Sequence, residues 1–168
     1  MARGLYREWF VHFRFPGHEN HPKVPSPLGD IPKGWEVKKL SDTCECIVDS
    51  EHKTAPTEVV GFPMIRTPNI GKGYLLLDDA RCVSEEIYAA WTRRAVPKEG
   101  DLILAREAPV GNVGIVGKGA VVCLGQRTVL IRASSKIIDT HILLRILLGD
   151  YCQNAFLGAA SGATVSHL

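Results

Sequence analysis

The sequence predicts an α+β fold: a mixed, mostly antiparallel sheet of short strands with a few packed helices. Three observations carry that expectation. Glycine-punctuated segments at 101–106, 112–117, 120–124 and 127–132 are short and rich in Val, Ile and Leu, as strands require. Ser84-Glu85-Glu86 and Asp139 stand where helix N-caps belong, each ahead of apolar residues at three-to-four spacing. The order is strands with a helix, then strands, then helices, which fits separated helices on a sheet better than alternating crossovers.

Taken in order, residues 4–15 carry Leu, Tyr, Trp, Phe and Val on more than one face, as in a helix end or a packed extended arm. Residues 16–27 hold four prolines, two histidines and a glycine. That composition argues against regular structure and reads as a linker. In Leu28-Gly29-Asp30-Ile31-Pro32-Lys33-Gly34-Trp35, turn formers and prolines bracket an aromatic anchor. A strand is expected near 35–38, a helical turn at 40–43 and a further strand from 46–48. Residues 49–57 are polar with Pro56 and read as a loop. Residues 62–66 are a short apolar run, hence a strand, which ends in Arg66-Thr67-Pro68-Asn69, and Gly71-Lys72-Gly73 is a turn. The helix after Ser84 places Ile87, Ala90 and Trp91 on one face. Arg93 and Arg94 suit the negative end of its dipole, and Pro97 with Gly100 closes it. Asp139 begins a helix through 148, and a shorter one is expected from 150 to 157. The tail 158–168 is small and polar.

A chain of 168 residues has room for one real core. Its composition, 45% hydrophobic and 23% charged, is that of an ordinary soluble domain. No apolar run nears the roughly 18 residues of a membrane span, and the N-terminus does not read as a secretory signal. Five irregularly spaced cysteines suit reduced thiols, which places the protein in the cytoplasm. The net charge of +2 does not by itself argue for nucleic acid, although a sum can hide a patch.

Catalytic and cofactor motifs fail on residues. Gly111-Asn112-Val113-Gly114-Ile115-Val116-Gly117-Lys118-Gly119 invites a phosphate-loop reading. That loop would need glycine at 112 and Ser or Thr at 119. A dinucleotide fingerprint fails at Val122, so hairpin turns explain these glycines better. Metal binding would use Cys44, Cys46 and His52, or His18 and His21. Neither set has finger spacing, so no metal is expected. No nucleophile elbow occurs. Cys82 and Cys123 sit in apolar strand contexts where a thiol packs rather than reacts. Asp78-Asp79, Glu107 and Lys118 could be forced into a metal-dependent nuclease, but they lie in unrelated segments.

What remains is polar loops on a small sheet. Three segments mix residue types that contact bases and phosphates: His52-Lys53-Thr54, then Arg66-Thr67-Pro68-Asn69 with Lys72, then Arg106-Glu107 with Gln126-Arg127. Base edges need fixed donor and acceptor geometry. Arg66, Asn69, Gln126 and Arg127 are the candidates there, with Glu107 beside them. Phosphates take Lys53, Thr54, Thr67, Lys72 and Arg106. Taken singly, each segment is equally a solvated loop, and the weight lies in their recurrence.

Several segments, in this order, resemble a target recognition domain of the DNA specificity subunit in type I restriction–modification systems. The segment from Tyr6-Arg7-Glu8-Trp9-Phe10 to Phe13-Arg14-Phe15-Pro16-Gly17 is similar to the join between modules of that subunit. The Leu28-to-Trp35 opening follows, then Pro97-Lys98-Glu99-Gly100-Asp101-Leu102-Ile103-Leu104, the hairpin tip Arg106-Glu107-Ala108-Pro109-Val110-Gly111, and Leu124-Gly125-Gln126-Arg127-Thr128-Val129-Leu130-Ile131-Arg132. The helix with Leu143, Leu144 and Leu147, then Gln153, is similar to the domain end. The resemblance implies residues 1–27 as inter-module segment and Pro-rich linker, and 28–168 as the recognition domain. It implies double-stranded DNA as ligand and one half of a bipartite site as target. The partners it implies are a methyltransferase (modification) subunit and an ATP-dependent restriction subunit. It implies no catalysis and no cofactor on this chain. With one recognition domain and no long heptad helix, the chain is expected to be a fragment, with Trp9, Phe10, Phe13 and Phe15 left as an exposed patch. The alternative is an interaction or structural fragment that does not bind DNA.

Overall fold

In the computed structural model, which describes residues 2–17 and 19–161, the chain divides into two units, 1–42 and 43–168. His18 and residues 162–168 lie outside the described residues, and with them the His18 metal candidate and most of the expected tail.

The first unit is built on aromatic contacts. Helix α1 (Ala2–Tyr6) runs into a π-helical turn, Arg7–Val11. Strands β1 (Lys23–Val24) and β2 (Ile31–Pro32) pair antiparallel, so the segment read as an irregular linker supplies one strand of a small ribbon. The expected strand near 35–38 does not form, and regular pairing stops at Pro32. Trp35 instead acts as a hub. Its ring lies 6.1 Å from Phe10, 5.5 Å from Phe13 and 6.2 Å from Phe15. Aromatic pairs at such spacings are favourable beyond their buried area. The three phenylalanines are therefore half-buried rather than bare, while Trp9 and Trp35 remain partly open.

A 3-10 turn at Leu40–Thr43 precedes β3 (Cys44–Asp49). In the second unit, four strands form an antiparallel sheet in the order β3-β9-β6-β7, with β6 at Leu102–Ala105, β7 at Val113–Ile115 and β9 at Thr128–Ala133. A three-stranded mixed sheet, β5-β4-β8, uses β4 (Phe62–Ile65), β5 (Arg81–Val83) and β8 (Cys123–Leu124), with β4 and β8 parallel. Strand β5 carries no alternation over its three residues, which left it unread in the sequence.

The core joins both sheets. Ile65, Ile103, Leu130, Val116, Val122 and Leu124 are buried together, and every residue of β6 is inside. Helix α2 (Glu85–Trp91) is capped by Ser84 Oγ, which accepts from the Ile87 N–H. It packs over Met64, Val83 and Cys123, where Phe62 stacks on Tyr88 at 4.3 Å. Helix α3 (Thr140–Leu147) is capped by Asp139, whose Oδ1 accepts from the N–H groups of His141 and Ile142. Leu143, Leu144 and Leu147 form its inner face. Helix α4 (Asp150–Ser161) is longer than α3, contrary to expectation, because Gly158-Ala159-Ala160 continues the helix rather than ending it.

Candidate nucleic-acid interface

Strand direction decides where the polar segments go. Asp49 at the end of β3 pairs with Val129, Ala105 at the end of β6 pairs with Thr128, and Leu104 pairs with Val113. The C-terminal ends of β3 and β6 and the N-terminal ends of β7 and β9 therefore share one end of the sheet. Ile65 pairs with Leu124 in parallel, and the Gly125 N–H donates to Ile65 O at 2.7 Å, so Arg66 and Gln126 leave the second sheet together. Loops 50–57, 66–73, 106–112 and 125–127 all emerge there. All three segments chosen from sequence thus meet, although 72 residues separate the hydrogen-bonded Thr54 and Gln126.

Direct contacts join these loops. Thr54 Oγ1 donates to Gln126 Oε1 at 3.4 Å, and Arg127 Nε lies 3.0 Å from Glu107 Oε2 in an ion pair. The Ser50 N–H donates to Thr128 O at 3.0 Å, and the Thr128 hydroxyl donates to Gly125 O at 2.7 Å. The Asn112 amide donates to Ile70 O at 2.8 Å and the Gly73 N–H to Val113 O at 2.7 Å, which ties the 66–73 loop to the β6–β7 turn. Gln153 of α4 donates to Gly111 O at 2.8 Å. A Cβ on Gly125 would stand 2.9 Å from Ile65 O and 2.5 Å from Arg66 Cγ, so only glycine permits this approach.

The candidate residues divide into frame and face. Lys53, Thr54, Lys72, Glu107 and Arg127 are exposed. Arg66, Thr67 and Gln126 are half-buried. The Arg66 Nε is buried with no hydrogen-bond partner, and among the described residues no carboxylate pairs with Arg66, Lys53 or Lys72. Two of the candidate side chains are engaged within the fold. Asn69, expected at a base edge, is only 3% exposed. Its Oδ1 accepts from the Arg66 N–H at 3.1 Å and its Nδ2 donates to Leu76 O at 3.4 Å, so the amide holds the loop. Arg106, expected on phosphate, keeps 13% of its side chain exposed and donates through Nη1 to Asp49 Oδ2. Its charge is thereby committed within the fold. His52 Nε2 approaches the same Asp49 oxygen at 3.3 Å.

Sequence reading missed Asp49, Asn112, Thr128 and Gln153, whose work depends on partners distant in the chain. The turn Leu124-Gly125-Gln126-Arg127 was the one available signal for Gly125.

The other end of the sheet is closed by a charged fork. Arg132 donates through Nε to Asp101 Oδ1 at 2.8 Å and through Nη2 to Asp101 Oδ2 at 2.7 Å, and the Lys98 N–H also donates to this carboxylate. The Asp101 bond holds the Arg132 guanidinium above its usual range. Burial pushes the Cys123 thiol up to about 12 and raises those of Cys44 and Cys152. All five cysteines are free thiols. Among the described residues, no group of three His, Cys, Asp or Glu side chains is placed to hold a metal, and no helix is long and apolar enough to cross a membrane.

Comparison with known proteins adds to this geometry. The specificity subunit of the type I restriction enzyme MjaVIII from Methanocaldococcus jannaschii is 26% identical over 156 residues, covering 89% of this chain and 35% of that protein. The crystal structure of the HsdS subunit from Thermoanaerobacter tengcongensis superposes with a TM-score of 0.55 at 20% identity, over 84% of this chain and 32% of that one. A chain from a structure of the type I R-M system, on its complex assembly and conformational transition, gives 0.50 at 19%, over 88% and 33%. The chain thus spans about a third of the length of these relatives. The family model for the type I restriction modification DNA specificity domain matches residues 32–168, and the chain belongs to that family.

Proposed function

We propose that this domain reads one half of a bipartite site in double-stranded DNA through the end of the sheets where the four loops converge, and makes or breaks no covalent bond itself. One observation carries the reading. Three polar segments, chosen only for residue types that contact DNA, lie far apart in sequence and come together on one rigid sheet end. Lys53, Thr54, Thr67 and Lys72 meet phosphates, and Arg66, Gln126, Arg127 and Glu107 face base edges. Asn69 and Arg106 hold those groups in place. Rigid support suits base readout, because discrimination depends on donors held at fixed positions. We take residues 28–168 as the span of the recognition domain, with 1–27 as an inter-module segment and Pro-rich linker.

The modification subunit then methylates, the ATP-dependent restriction subunit cuts, and this chain supplies the address. Free thiols suit a reducing compartment, and we place the protein in the cytoplasm. The test is selection of the purified chain on a random duplex pool at moderate salt. Enrichment of a short motif of a few base pairs is expected. A chain that retards no duplex even at low salt contradicts the reading and favours an interaction fragment.

A further inference from the structure

We infer that Arg127 reads a guanine and that Glu107 is the residue that aims it, an assignment that rests on the DNA-reading end proposed above. Arg127 has a φ of 66°, in the left-handed region that favours glycine. The surrounding bonds dictate this conformation. The Arg106 N–H donates to Arg127 O at 2.9 Å, and Gly125 on one side and buried Thr128 on the other are each pinned by their own hydrogen bonds. A long side chain here has no packing return, because 63% of it is exposed. Strained residues without a structural return cluster at functional positions.

Among the described residues the guanidinium pairs with Glu107, Nε lying 3.0 Å from Oε2. Among the described residues neither Nη group donates a hydrogen bond. One edge of the fork is therefore held while the terminal edge stays free. That edge matches O6 and N7 of guanine, which accept side by side, whereas adenine places a donor amino group where guanine has O6.

Charge separates a base from a phosphate as the ligand. Arg127 and Glu107 together are locally neutral, so they add little to sequence-independent attraction, and a carboxylate beside a phosphate is repulsive. Among the described residues Lys53 and Lys72 pair with no carboxylate and suit phosphate instead. An exposed ion pair adds little stability, so the pairing of Glu107 with Arg127 matters through orientation.

The test uses the whole chain and the duplex motif it selects. Each guanine is replaced in turn by 7-deazaguanine, which lacks the N7 acceptor. Wild type is expected to lose about tenfold in affinity at one guanine. Arg127→Ala is expected to be indifferent to that replacement and to select a degenerate base there. Arg127→Gly relieves the left-handed strain and so folds at least as well, and it must lose the same preference. Glu107→Ala should cut the preference several-fold in wild type and leave it unchanged in the Arg127→Ala background. An N7-sensitive guanine that persists in Arg127→Gly, or a motif with no such guanine, overturns the assignment to Arg127. A Glu107 effect that survives without Arg127 overturns its aiming role. A wild-type chain that enriches no motif instead overturns the DNA-reading proposal on which this one rests.

Discussion

Arg106 tests whether the sheet end is divided into frame and face as the geometry indicates. Its guanidinium is 13% exposed and pairs with Asp49, which is 33% exposed and has a second oxygen, Oδ1, buried without a partner. Truncation to alanine leaves that carboxylate half-buried beside His52. Breaking a fully buried pair costs roughly 3–5 kcal/mol. Asp49 is one-third open and has His52 beside it, which screens part of that loss. The expected cost is therefore about 2 kcal/mol. For a chain of this size, about 2 kcal/mol lowers Tm by roughly 4–8 °C. Thermal melts of Arg106→Ala, Asp49→Ala and the double variant give the assay. The double variant should cost clearly less than the sum of the singles, because the pair is in direct contact. An Arg106→Ala chain that melts like wild type but binds DNA weakly would refute the reasoning and return Arg106 to the phosphates.

Other consequences follow from the same geometry. Asp101→Asn should cost about 3 kcal/mol in urea unfolding, because Asp101 is 3% exposed and its loss strands Arg132; a change under about 0.5 kcal/mol contradicts the fork's role. Burial holds the Cys123 thiol protonated at pH 8, with its pKa pushed up to about 12, so a thiol reagent should reach Cys123 last of the five cysteines and only on unfolding. Lys72→Ala should weaken all duplexes alike and reduce the salt slope by about one, read from affinities across a salt titration; a change in sequence preference instead would make Lys72 a base contact.

The legibility of this chain follows the range of its interactions. Ser84 and Asp139 were readable because a cap and the N–H groups it accepts from lie within three residues. Residues 101–106 and 127–132 were readable because buried β6 and β9 need continuous apolar runs. The β1–β2 ribbon was not legible, since prolines on either side of a two-residue strand look like any linker. The end of α4 was misjudged because Gly158, a residue of low helix propensity, lies inside the helix rather than after it. In the site, residue type alone picked out polar segments that gather at one end of the sheets. It could not separate exposed Arg127 from Arg106, because the difference is Asp49, 57 residues away. Nor could it see that the Asn69 amide closes its own turn onto Arg66 and Leu76.

The most direct measurement is amide NMR of the whole chain during titration with its selected duplex. The account predicts that shifts concentrate at 50–57, 66–73, 106–112 and 125–127. Shifts that gather instead around 98–101 and 135–140, at the Asp101–Arg132 end, would contradict it.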